Sequence, residues 1–99
     1  MPISTHIDSM FYSCTTITEI NLSDLDMSNV YSVSGIFEEC TNLKTVYMKG
    51  NTNNVETYGI MFKNVTTTGK FYYDSRYDYS KFISMLPSTW EAIPYNYQE

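Results

Sequence analysis

The chain carries one histidine (His6), two cysteines (Cys14 and Cys40) and eleven acidic residues, the raw material for nucleophilic, metal or acid–base chemistry. A nucleophile system needs Ser or Cys beside a base that a third group orients, and nothing near His6 suggests one. His6 reads as an incidental polar residue. The two cysteines are too few for a disulfide scaffold and lack the close paired spacing of a zinc site. Asp24 and Asp26 sit in a turn where calcium is conceivable, but no EF-hand spacing follows, and Asp in turns commonly bonds nearby backbone amides. Glu38 and Glu39 read as a solvated pair. Gly35, Gly50, Gly59 and Gly69 are scattered and form no phosphate-cradling loop. Asn21-Leu-Ser23 and Asn64-Val-Thr66 match a glycosylation pattern that is common by chance. With no acid, base and nucleophile to assemble, the expectation is a protein that is not an enzyme and uses no cofactor or metal.

Composition narrows the partners. At 99 residues the chain makes one domain, and a chain of this size buries roughly 60–65% of its unfolded surface. Ten Tyr and five Phe beside only 17% charged residues point to a folded, tyrosine-rich, weakly charged surface. A net charge of -5 works against a phosphate backbone, so nucleic acid is a poor partner. No apolar stretch approaches the roughly 20 residues of a membrane span, and the first residues lack the basic start and apolar centre of a signal peptide. The chain is expected to be a piece of a larger exported protein or to travel without its own signal.

The strongest feature is a repeat. Met10-Phe11, Ile36-Phe37 and Met61-Phe62 are spaced by 26 and then 25 residues. The same offset pairs Cys14 with Cys40, Thr15 with Thr41, Ile17 with Leu43, Ile20 with Val46 and Leu22 with Met48. The third unit continues with Val65 in the cysteine column, Phe71 under Val46 and Tyr73 under Met48, while Val30 pairs with Val55 and Val33 with Tyr58. In each unit, residues such as Ile20 and Leu22 point one way from a short strand while Glu19 and Asn21 point outward. Ser28 then offers a helix cap, and Val30, Val33 and Ile36 or Phe37 recur at helical spacing. One unit alone leaves its apolar side in water, so the copies must stack.

The run Ile20-Asn-Leu-Ser-Asp-Leu-Asp-Met-Ser-Asn-Val30, with Ser34-Gly-Ile-Phe37 and Cys40-Thr-Asn-Leu43, resembles the 26-residue bacterial surface-protein repeat, a relative of the BspA-like leucine-rich repeats. The resemblance runs from about Ile7 to Tyr73, and Leu86-Pro-Ser-Thr-Trp90 is similar to the closing segment that often follows such repeats. It implies right-handed coils with a strand ladder, a place on a bacterial surface or in a secreted or phage-borne protein, and adhesion without catalysis. Asn53-Asn54-Val55 in place of Ser-Asn-Val, Thr68 in place of an apolar residue and Val65 in place of Cys depart from the pattern in the last coil.

The expected fold is therefore α/β: a short right-handed, leucine-rich-repeat-like solenoid of about three coils, each a strand plus a short helix, with a C-terminal cap. Residues 1–73 are the solenoid (a partial unit at about 1–9, then 10–35, 36–60 and 61–73) and 74–99 the cap of the same domain. Ile3 and Ile7 are expected in the Val30 and Val33 columns. Residues 70–73 read as the last strand, Tyr79 to Leu86 as a helix stopped by Pro87, and Trp90 and Ile93 as a cover folded over the stack. The other end shows no cover, and an open ladder edge invites pairing, so a homo-oligomer through that N-terminal end is expected. Cys14 and Cys40 stack in one column; the geometry just permits a bridge, and free buried thiols are the simpler reading.

Outward strand positions are the candidate binding face. One column holds Asn21, Tyr47 and Tyr72, the next Ser23, Lys49 and Asp74, and the other side Glu19, Thr45 and Lys70. Stacked tyrosines offer rigid amphipathic area suited to protein or sugar contacts, and equally an ordinary cross-strand pair. The expected role is recognition of a protein partner or host surface by a cell-surface or secreted protein. The alternatives are a structural spacer or self-assembly element, for example in a phage fibre, or carbohydrate binding.

Overall fold

A computed structural model of the chain describes residues 5–6, 9–25 and 27–96. It is a short, strand-rich solenoid of about three coils. Strands β2 (Glu19–Leu22), β4 (Thr45–Met48), β5 (Gly69–Asp74) and β6 (Trp90–Tyr95) lie in that order in one parallel sheet. On the back, β1 (Thr5–His6) pairs in parallel with β3 (Val30–Ser32), and Ser32 bridges to Thr57. The register repeats the sequence columns: Ile20 beside Val46 beside Phe71, and Leu22 beside Met48 beside Tyr73. Ile3 and Ile7, expected in the Val30 and Val33 columns, lie outside the described residues.

Alternation places Ile20, Leu22, Val46, Met48 and Phe71 in the interior, each less than a tenth exposed. Each side chain of this size contributes roughly 1.5–3 kcal/mol by leaving water, and stacking is what makes that burial possible. The phenylalanine column is continuous. Phe11 and Phe37 stack with ring centres 6.2 Å apart, Phe37 and Phe62 lie 5.1 Å apart, and Trp90 closes the column 5.1 Å from Phe62. Trp90 fits because Gly69 has no Cβ: a methyl group there would overlap the indole.

The short helix expected in each coil is not formed. Met27–Asn29 makes one 3₁₀ turn and Val30–Ser32 is strand. Beyond it the chain advances by successive i→i−3 backbone bonds, from the amides of Ile36, Glu38, Cys40 and Leu43 to the carbonyls of Val33, Gly35, Phe37 and Cys40. A helix is prevented by left-handed backbone at two points in each of the three segments 9–17, 34–43 and 59–67. Ser9, Gly35 and Ile60 occupy one such column (φ 56°, 65° and 50°) and Ser13, Glu39 and Asn64 the other (φ 59°, 61° and 65°). These turns carry their own ladder between coils, with Phe11, Gly35 and Phe37 amides donating to Ile36, Gly59 and Met61 carbonyls.

The C-terminal segment adds a coil. Residues 70–73, expected to end the ladder, are flanked by β6 on the outer side, with Gly69 paired to Trp90 and Asp74 to Tyr95. Between them, α1 (Ser80–Ile83) is one helical turn that buries Phe82, extended by further turns to Leu86. Lys81 ties this turn down by donating to the Thr52 and Val55 carbonyls at 3.2 and 2.9 Å.

Candidate functional site

The outer face of the sheet is built by the same alternation that fills the core. Its register sets Glu19, Thr45 and Lys70 side by side, and Asn21, Tyr47 and Tyr72 side by side. Strand β6 extends both, adding Glu91 to the first and Ile93 to the second. Tyr47 and Tyr72 are stacked 4.8 Å apart at 12°, and Tyr95 stands edge-on to both, 6.0 Å from each ring centre. The three rings form one aromatic cluster in which Tyr95 remains 42% exposed. Burial, and then the Glu19 carboxylate, raise the Tyr47 phenol above its ordinary range.

The remaining predicted positions divide. Ser23 and Lys49 follow their strands and border a cleft of about 360 Å³ beyond the strand ends, floored by Leu25 and Met27. Asp74 does not belong to the exposed face. It is fully buried because Arg76 turns back and clamps it, Nε to Oδ1 at 2.9 Å and Nη2 to Oδ2 at 2.8 Å, while the Gly50 amide donates to Oδ2 at 2.9 Å. The Arg76 bonds, with the Arg76 and Gly50 amides, outweigh burial and hold the Asp74 carboxyl at about 2. Asp74 is thus a joint between coils: it grips Gly50 of the preceding turn, whose carbonyl accepts from the Tyr79 hydroxyl at 2.7 Å.

Sequence reasoning misplaced Ile93, expected with Trp90 in the cover over the stack but found beside Tyr72 on the outer face, and it missed Tyr95 and Arg76. The signal for Ile93 and Tyr95 was alternation in Trp90-Glu-Ala-Ile-Pro-Tyr95, with Trp90 and Ala92 on one face and Glu91, Ile93 and Tyr95 on the other; for Arg76 it was Asp-x-Arg after a strand.

Cys14 and Cys40 are both free. Cys40 is fully buried, donates its thiol to the Phe11 carbonyl at 2.9 Å, and has its pKa pushed up by burial. Asp24 is exposed in its turn, and Asp26 lies outside the described residues. Glu38 and Glu39 take part in contacts between coils: Glu38 lies 3.9 Å from Lys63, and Glu39 accepts from the Tyr12 hydroxyl at 3.2 Å. His6 lies in β1 beside Ser32. Among the described residues no three His, Cys, Asp or Glu side chains gather at one point, and no helix is long and apolar enough to cross a membrane.

Comparison with known proteins adds one relationship. The family model described as "Mycoplasma protein of unknown function, DUF285" matches residues 4–92, a span that includes every coil and reaches into β6. No curated protein and no solved structure gives a match.

Proposed function

Because the chain belongs to the Mycoplasma family DUF285, which assigns no activity, we propose from the site itself that this protein is a non-catalytic recognition module whose exposed sheet face binds a protein partner on a host surface. The observation that carries the reading is the cluster of Tyr47, Tyr72 and Tyr95 beside Ile93, flanked by Glu19, Lys70 and Glu91. Aromatic anchors lose little side-chain entropy on binding and keep a polar tip for hydrogen bonding. Mixed charges around an aromatic centre give an interface its register and its specificity. A closer kinship with the BspA-like leucine-rich repeats, and a place at the cell surface or outside the cell, are part of the same reading. The 26- and 25-residue spacing of the phenylalanines and the Cys-Thr-Asn-Leu run support them.

The test is attachment of beads coated with the protein to intact animal cells, comparing wild type with the double variant Tyr47→Ser, Tyr72→Ser. A recognition face loses attachment while the melting temperature stays within a few degrees. Wild-type beads that do not attach, or attachment unchanged by the double substitution, refute the reading and favour a structural spacer. A glycan array probed with the same pair of proteins separates sugar recognition from protein recognition.

A further inference from the structure

The two edges of the main sheet differ in what they offer a neighbour. Thr45 donates its amide to the Thr18 carbonyl at 3.1 Å, so alternation turns the backbone of Ile20 and Leu22 toward β4 and that of Glu19 and Asn21 away from it. Among the described residues no strand pairs with β2 on that outer side. Two amides and two carbonyls therefore face outward there, above Phe11, Cys14 and Ile17, which are only partly buried. At the far edge Ser75 donates to the Tyr95 carbonyl at 3.2 Å, which turns the backbone of Glu91, Ile93 and Tyr95 inward and that of Ala92 and Pro94 outward. Pro94 has no N–H to give, and Trp90 already closes the column below.

We propose that the β2 edge is a dimer interface, joining two copies of this chain by antiparallel β2–β2 pairing about a twofold axis through Ile20. In that register each Glu19 lies opposite Asn21 of the partner copy, so the four outward backbone groups of each strand are satisfied. On the outer face each Glu19 carboxylate meets an Asn21 amide, whose Oδ1 is already held by the Ser23 amide at 2.9 Å and whose NH₂ is the group that donates. The strand is complementary to itself, and no like charges are opposed. Head-to-tail growth lacks this fit: continuing the ladder register places Glu91 of one copy beside Glu19 of the next and brings Pro94 to the seam. Twofold closure also covers the half-buried ends of the apolar columns with a matching end. This surface is distinct from the aromatic cluster, so the assembly stands or falls independently of the recognition role.

Sedimentation equilibrium of the full chain, from micromolar to submillimolar concentration, tests it. Wild type fits a monomer–dimer equilibrium. Asn21→Asp sets Asp against Glu19 twice per dimer and weakens association about tenfold, Asn21→Lys sets Lys there and tightens it several-fold, and Asn21→Pro removes an outward donor and abolishes it. Circular dichroism and melting of each variant report whether the monomer is intact; the two charge variants, on an exposed position, carry the test if the proline variant does not fold. A wild type that stays monomeric, a dimer indifferent to the Asp and Lys substitutions, or species that keep growing beyond the dimer overturns the proposal.

Discussion

Replacing Asp74 by Asn removes a buried charge while keeping its shape, and the structure fixes both the size and the pH dependence of the effect. The Arg76 fork and two amides hold the folded carboxyl at about 2, below its ordinary 3.8. At about 1.36 kcal/mol per unit, that depression is worth about 2 kcal/mol of folding free energy. The folded pKa is the lower one, so the unfolded chain binds more protons between the two values. The contribution is therefore complete above about pH 5 and is lost as pH falls through 3.8 toward 2. Urea unfolding followed by the fluorescence of Trp90, the single tryptophan, gives stability at each pH. The difference between wild type and Asp74→Asn isolates this group from the other ten acidic residues. We expect a deficit of about 2–3 kcal/mol at pH 7 that shrinks to below about 1 kcal/mol near pH 2, where the protonated Asp and the Asn are nearly equivalent. A deficit that is flat between those pH values, or below about 0.5 kcal/mol at pH 7, shows that the Arg76 clamp contributes no charge-dependent stability and refutes the reasoning.

Three other outcomes follow from named contacts. Ile60→Gly relieves a β-branched residue held at φ 50° and half exposed, so the protein gains about 1 kcal/mol in urea titration despite the added chain entropy. Gly69→Ala forces a methyl against the Trp90 indole, costing about 2–3 kcal/mol and red-shifting tryptophan emission as the ring is displaced. With a thiol reagent under native conditions Cys14 reacts first, whereas Cys40, buried and with its pKa raised, reacts at the rate of unfolding; equal rates contradict the described packing.

The columns were legible because stacking gives corresponding residues the same surroundings: Phe11, Phe37 and Phe62 share one interior, and the strand register follows the spacing of 26 and 25. The last strand was hidden because the period breaks. Trp90 pairs with Gly69, only 21 residues earlier, and Pro94 argues against a strand unless it lies on an edge. The helix was misread because a spacing of three is shared by helices and by chains of i→i−3 turns. Only the left-handed backbone at Gly35 and Glu39 separates them, and Glu39 announces nothing of it by its type. Asp74 was assigned outward by alternation alone, which holds only until a neighbour such as Arg76 folds over the strand end.

The repeating register makes the coil, rather than the residue, the unit in which this molecule tolerates changes of length. Inserting a further 25 or 26 residues with the same pattern between existing coils moves Trp90 outward by about 4.8 Å and leaves every column in line. Deleting one residue from β4 turns Tyr47 inward and Val46 into water at a stroke.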